Sequence, residues 1–289
     1  MDKLGSADFI PRNYSAGEQF PVDHWAAILR VRLCYLVRHQ KIANLNAPQT
    51  FTELVQRRKL QNRDVRMPAL ADKVAVKHIV EDILGKSWVI PTLWHGSALP
   101  DSPEWPVPFV LKSRHGCNQT MFFRHRANNW TLARRRAHAW LWASYGQWLD
   151  EWLYDHIPRG LLVEPFVGDG SNLPIDYKIY TFGGQATHIQ VHLERERRHR
   201  WMLFDRNWTR VSAASADPNP SPPSSLPAML DAAEALGNGF DFVRNDFYEV
   251  GGKPLFGEMT FYPGSGLDKF NPLSIDSMLG QYWLDAGGR

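Results

Sequence analysis

Two short runs near the C-terminal end restrict the fold more than any other part of this chain. Phe242-Val243-Arg244-Asn245-Asp246-Phe247-Tyr248 and Leu255-Phe256-Gly257-Glu258-Met259-Thr260 read as strands around the turn Gly251-Gly252-Lys253-Pro254. Side chains two apart in a strand share a face, so Arg244 lies with Asp246, and Glu258 with Thr260. Folding at the Gly-Gly turn sets Asp246 opposite the 257–259 stretch, within one residue of Glu258. Two acids on one patch of sheet suit Mg²⁺, which takes one or two carboxylates and fills its octahedron with water and phosphate oxygens. The arginine adds a fixed positive fork for a transferring phosphoryl group. A merely solvated face would carry the same charges. Against it, Val243, Phe247, Met259 and Phe261 anchor the opposite face, and Pro263-Gly264-Ser265-Gly266 offers backbone N–H groups to an anion.

At 289 residues, 44% hydrophobic and 22% charged, the chain has the composition of a soluble globular protein with a substantial core. Cys34 and Cys117 are its two cysteines, give no disulfide framework, and fit a reducing compartment. The net charge of +3 is mild, and although Arg134-Arg135-Arg136 and the 195–200 cluster are basic, Glu194 and Glu196 interrupt the latter. Nucleic acid is therefore not an expected partner. Residues 1–13 lack an apolar signal-peptide region, and Arg30 and Arg32 break the apolar stretch 25–37, so it cannot span a bilayer. A cytoplasmic protein is the expectation.

The pattern predicts a helix over 23–43, with Asp23 as N-cap and Trp25, Ile28, Leu29, Leu33 and Leu36 on its packed side. Thr50 with Glu53 forms a capping-box pattern for a second helix, and a third opens at Ala71 and runs to Leu84. Strands are expected at 88–93, 109–112, 161–167, 177–182 and 187–193. The longest helical pattern covers 131–156, with Leu141, Tyr145, Trp148, Leu149 and Trp152 as a core stripe. A proline-rich loop at 214–227 and a helix at 226–236 precede the acidic hairpin.

Further charged groups sit at strand ends. Lys112 ends an apolar strand beside the loop Ser113-Arg114-His115-Gly116-Cys117-Asn118, Glu164 ends another, and Lys178 is borne by a third. Each alone reads equally as exposed charge. In order, they resemble an ATP-grasp enzyme, and more closely the TupA-like ATP-grasp family, associated with bacterial teichuronopeptide and surface-polysaccharide synthesis. The segments carrying the resemblance are Ala71-Asp72-Lys73-x-Ala75-Val76, Val110-Leu111-Lys112-x-x-His115-Gly116, Val163-Glu164-Pro165-Phe166 and Asp176-Tyr177-Lys178. Phe242-Val243-Arg244-x-Asp246-x-Tyr248, Phe256-Gly257-Glu258-x-Thr260-Phe261 with Pro263-Gly264-Ser265-Gly266, and Lys269-Phe270-Asn271-Pro272 complete them, so the resemblance covers roughly residues 70–283.

The resemblance implies an α+β ATP-grasp fold in which two α+β subdomains clamp ATP. Residues 1–69 would be an N-terminal helical region, 70–165 a pre-grasp segment with the nucleotide-covering subdomain, and 166–289 the metal-binding subdomain. Lys112 would contact the α- and β-phosphates, with His115 and Gly116 in the loop closing over them. Glu164 and the backbone of Phe166 would hold the adenine. Lys178 would approach phosphates or adenine, and Arg244 the γ-phosphate or an acceptor carboxylate. Asp246 and Glu258 would ligate Mg²⁺, with Thr260 a weaker ligand, and Lys73 belongs to the set without a defined role. Cys117 and Asn118 depart from the smaller residues usual in that loop.

The implied partners are a small-molecule or glycan carboxylate and an amine, joined through an acyl phosphate, with peripheral association with a polysaccharide assembly system. No residue set in the sequence demands a covalent nucleophile, and adjacency of His115 and Cys117 does not make one. The same fold serves a sugar or small-molecule kinase, or a non-catalytic nucleotide-binding component. A glycosyltransferase lacks the Asp-x-Asp motif it would need. Arg195, Arg197 and Arg198 are further candidates for receiving acidic groups.

Overall fold

A computed structural model describes residues 24–125, 129–168 and 172–288. The expected N-cap Asp23 and the polar stretch 1–13 lie outside these. The chain opens with helices α1 (His24–His39), α2 (Phe51–Gln61), α3 (Arg66–Ala71) and α4 (Ala75–Leu84). Strands β1 (Trp94–Gly96), β2 (Phe109–Ser113) and β3 (Thr120–Phe123), helix α5 (Trp130–Trp142) and strand β4 (Leu161–Pro165) follow. The rest is β5 (Asp176–Phe182), β6 (Gln185–Leu193), β7 (Arg200–Asp205), α6 (Leu226–Gly237), β8 (Phe242–Val250), β9 (Lys253–Thr260) and α7 (Ser274–Asp285). Two antiparallel sheets result, in strand orders β1-β4-β2-β3 and β7-β6-β5-β8-β9.

In the four-stranded sheet, Phe109, Leu111, Leu161 and Val163 bury one face with Ala133 and Ala137 of α5. The alternate residues Val110, Lys112, Leu162 and Glu164 take the other. The larger sheet is buried on both sides. Asn245 donates to Ala233 O of α6 at 3.2 Å on one face. On the other, Phe51 of α2 and Trp283 of α7 pack on Tyr180, Phe182 and Phe242. These helices cover only half of that face. The other half, carrying Asp176, Lys178, Asp246 and Glu258, is left to line a cleft.

The acidic hairpin forms as its pattern requires. Gly251 and Gly252 have φ of 59° and 73°, the left-handed pair that a tight two-residue turn needs. The capping box at Thr50 is also present. Elsewhere local chemistry overrides the pattern. The predicted helix 131–156 stops at Trp142, where Ala143 turns extended, and beyond it the left-handed Gly146 (φ 85°) and Asp150 (φ 57°) leave only 3₁₀ turns at Gln147–Leu149 and Trp152–His156. Its supposed stripe breaks with it: Trp148 is 72% exposed. The strand expected at 88–93 is a 3₁₀ turn followed by a single bridge from Val89, and Pro91, which has no N–H to donate, keeps regular pairing from starting before Trp94. The helix expected from Ala71 opens only at Ala75, since Asp72 turns extended and its carboxylate accepts Val74 N at 2.9 Å. The helix expected over 23–43 ends at His39, where Gln40 turns left-handed (φ 59°). It packs through Ala27, Val31 and Tyr35 rather than the expected Trp25, Leu29, Leu33 and Leu36, which face out.

Helix α2 also grips the loop after β9. Gln56 Nε2 donates to Ser265 O at 2.8 Å and Gly266 O at 3.0 Å, and Lys59 Nζ donates to Ser265 O at 3.1 Å and Oγ at 3.0 Å. Both Lys59 and the nearby Glu151 are buried. Burial pushes the Glu151 carboxyl up to about 7 against the pull of Lys59, and pulls the Lys59 ammonium down to about 8. A carboxyl with a raised folded-state pKa binds its proton more tightly folded than unfolded, so its contribution falls as pH rises from its unfolded value near 4.5 to about 7. Urea unfolding at pH 5 and pH 7 is expected to show this loss, about 2 kcal/mol, and Glu151→Gln to flatten it. An unchanged slope in the variant would remove Glu151 as its source.

Candidate functional site

Between the open face of the four-stranded sheet and the exposed half of the five-stranded one lies a cleft of about 680 Å³. Its floor is set by register. Lys178 on β5 pairs with Asp246 on β8, and Asp246 with Glu258 on β9. A bulge between Asp246 and Phe247 makes Gly257 the extra residue and sets Phe256 opposite Phe247. Without it, Phe256 and Glu258, two apart, would share a face. The bulge lets Phe256 go to the core while Glu258 faces Asp246. A Cβ on Gly257 would stand 3.0 Å from Asp246 O, a tight fit that favours glycine.

Asp246 is the hub. Arg244 donates from Nε to Oδ1 at 2.7 Å and from Nη2 to Oδ2 at 2.8 Å, and Lys178 Nζ donates to Oδ2. Lys178 is shared with Asp176 at 2.9 Å, which also accepts from Arg195 Nη1 at 3.1 Å. Burial pushes Asp246 up against Arg244 and Lys178. Burial would do the same to Asp176, but Lys178 and Arg195 outweigh it and hold that carboxyl near 2. Burial alone would lower the Lys178 ammonium, yet Asp176 and Asp246 raise it. Glu258 is the least engaged acid: its side chain is 36% exposed, Arg244 Nη2 is 3.8 Å away, and Thr260 Oγ1 is 3.5 Å away. Lys178, Lys73 and Arg244 overcome its burial and lower its pKa.

On the opposite wall, Glu164 joins Lys112 at 2.6 Å and Lys77 at 2.5 Å. Burial would raise Glu164, but the two lysines hold it low. Phe166 meets Phe122 edge-on at 6.1 Å, and Arg124 lies over both rings. The loop after Lys112 is tied down rather than open. Asp72 caps α4 and takes a two-pronged bond from Arg114, and Lys73 Nζ donates to Gly116 O at 2.6 Å. A Cβ on Gly116 would collide with Gln119 Oε1 at 2.4 Å.

Of the residues singled out from sequence, Lys73, Lys112, Glu164, Phe166, Lys178, Asp246 and Glu258 line the cleft. Arg244 and Thr260 pair one step further along the hairpin, behind that lining, with Arg244 Nη2 donating to Thr260 Oγ1 at 3.2 Å. His115 is turned away: it accepts Gly160 N on Nδ1 at 3.4 Å, which leaves Nε2–H for Trp140 O at 3.1 Å, and burial lowers its pKa. It anchors the loop's base and does not line the cleft. Three charged residues of the lining were missed, Lys77, Asp176 and Asp268. Lys77 stands one helical turn after Lys73, and that i, i+4 spacing was the available signal. Asp176 shares a strand face with Lys178, and its Oδ1 is buried without a hydrogen-bond partner among the described residues.

Among the described residues no cluster of three or more His, Cys, Asp or Glu could hold a metal by itself. The donor set still fits Mg²⁺. This ion asks for one or two carboxylates and takes its other oxygens from phosphate and water, and Glu258 opposite Asp246 supplies that pair.

A family model described as TupA-like ATPgrasp matches residues 53–284. No curated protein matches the sequence. Similar solved structures include D-alanine–D-alanine ligase from Bacillus anthracis complexed with ATP, at 13% identity over 75% of this chain and 64% of that one, TM-score 0.44. VanG D-Ala:D-Ser ligase from Enterococcus faecalis matches at 10% identity over 76% and 61%, TM-score 0.45. D-cycloserine synthetase DcsG matches at 16% over 78% and 71%, TM-score 0.44. The chain thus spans less than two thirds of the first of these.

Proposed function

The chain belongs to the TupA-like ATP-grasp family, and on that premise we propose that it joins a carboxylate to an amine with ATP as phosphoryl donor. The supporting arrangement is the facing pair Asp246 and Glu258, with Lys178 and Arg244 at hand, across one cleft from Lys112 and Phe166. In this proposal the substrate carboxylate attacks the γ-phosphorus and ADP leaves. The amine then attacks the acyl phosphate, phosphate leaves, and the amine's proton passes to solvent. Bound Mg²⁺ would neutralise the triphosphate and align the γ-phosphoryl group.

Each residue has a task in that sequence. Phe166 and Phe122 offer an apolar slot for the base. Lys112 and Lys178, already ordered by their carboxylates, exchange partners when phosphate arrives. Glu258 would hold the metal, with Asp246 as the second ligand. Arg244, behind the lining and bonded to Asp246, orients that carboxylate and adds positive charge beneath the transferring group. Cys117 takes no covalent part: burial raises its thiol pKa, and Sγ is bonded to Tyr154 Oη at 3.3 Å. Residues 70–165 would form the nucleotide-covering half and 166–289 the metal-bearing half. A role in bacterial surface-polysaccharide synthesis is the setting proposed for this chemistry.

Thermal unfolding with and without Mg²⁺-ATP tests the premise of nucleotide binding. At about 100 times its dissociation constant the ligand stabilises by roughly 2.7 kcal/mol, a rise in Tm of roughly 5–8 °C. The rise is expected to need Mg²⁺, and its absence at millimolar ATP would overturn the proposal. Screening acid and amine pairs for ADP release with amide formation tests the chemistry, and a phosphorylated alcohol without amide would make the protein a kinase.

A further inference from the structure

Helix α1 is apolar on two sides, and only one of them is packed by the described residues. Ile28, Val31 and Tyr35 lie against Ala43, Leu45, Leu60 and Leu267. On the outward arc, Trp25, Leu29, Leu33, Leu36 and Val37 recur at spacings of three and four, and Trp25 is 80%, Leu29 68% and Val37 75% exposed. Ile42, just beyond the helix, is exposed too. A water-facing helix surface usually carries charge at these positions, so a contiguous apolar stripe marks something that covers it.

We propose that this face docks on an anionic lipid surface, with α1 lying flat in the headgroup region. Charge selects that occupant. Between Asp23 and Glu53 the sequence has no acidic residue, while Arg32, Arg38 and Lys41 are exposed on or beside α1. A basic, Trp- and Leu-rich amphipathic helix is the kind that binds such interfaces. A second copy of the chain fits less well. Two copies of α1 would bring arginines together with no acid on the helix to pair them, because Arg30, the other flanking base, is already bonded to Asp150. The helix does not cross the bilayer: 16 residues reach about 24 Å, and among the described residues no helix is long and apolar enough to span. The proposal stands apart from the reaction in the cleft, since α1 contributes nothing to its lining.

Co-sedimentation of the full chain with vesicles tests it. Bound fraction on equal phosphatidylglycerol and phosphatidylcholine is expected to exceed that on phosphatidylcholine alone at least tenfold, and to fall as salt rises. Leu29→Ser with Leu33→Ser is expected to lower it at least tenfold at unchanged Tm, because both side chains already face water. Three results overturn the proposal: no sedimentation with phosphatidylglycerol at low salt, equal binding by the serine variant, or a concentration-dependent dimer that the variant dissolves. The last would make the face an interface between copies.

Discussion

Glu258→Gln is expected to lower Mg²⁺-ATP-dependent ADP release by about 100-fold or more while barely changing stability. The two effects separate because of where the carboxylate sits. It is over a third exposed, its arginine neighbour is 3.8 Å away, and it makes no close ion pair. Pairs of that kind contribute about 0–1 kcal/mol to folding. In the proposed reaction the same group binds the ion that offsets the triphosphate's charge, an interaction worth several kcal/mol of barrier. Steady-state ADP release and a thermal melt of the same preparation check both halves. A variant within threefold of the parent would remove Glu258 from the metal site and with it the assignment of the hairpin.

Asp246→Asn is expected to cost both. Asp246 is 1% exposed and accepts from Arg244 twice and from Lys178 once. Removing its charge leaves the Arg244 guanidinium buried with Thr260 Oγ1 at 3.2 Å and with Glu258 no nearer than 3.8 Å. Breaking a buried pair from one side destabilises by about 3–5 kcal/mol, and the lower end applies because asparagine keeps the shape and one acceptor. Lys178 retains Asp176. Thermal denaturation reads the loss, roughly 5–8 °C in Tm. Adding Arg244→Met to the variant should restore much of the stability but none of the turnover, since the orphaned charge is then gone. If Asp246→Asn alone melts with the parent, the buried triad is not the structural hub described.

The acidic hairpin was legible because every local signal agreed: period-two patterning, a Gly-Gly turn, and acids on alternate positions. Its bulge was not. Nothing in Phe256-Gly257-Glu258 states which residue is extra, and that choice, made by Phe256 packing on Phe247, aims Glu258. The tryptophan-rich stretch misled because apolar periodicity continues through Gly146 and Asp150 although the backbone does not. Likewise α1 shows two apolar stripes in sequence, and only the helix and loop it meets decide which is buried. The segments resembling ATP-grasp enzymes located the cleft's charged residues, but not their pairings. His115 reads as a loop residue near phosphate, and its neighbours Trp140 and Gly160, distant in sequence, turn it inward.

The grip of α2 on the loop 263–266 makes the protein less modular than its element order implies. Gln56 and Lys59 hold carbonyls only a few residues past Glu258, and His39 of α1 contacts Gly266 O at 3.2 Å. The first helices are therefore part of the scaffold that sets the acidic hairpin. Exchanging them between relatives would transplant loop geometry along with them, and trimming the chain to its two sheets would leave the loop's carbonyls without their donors.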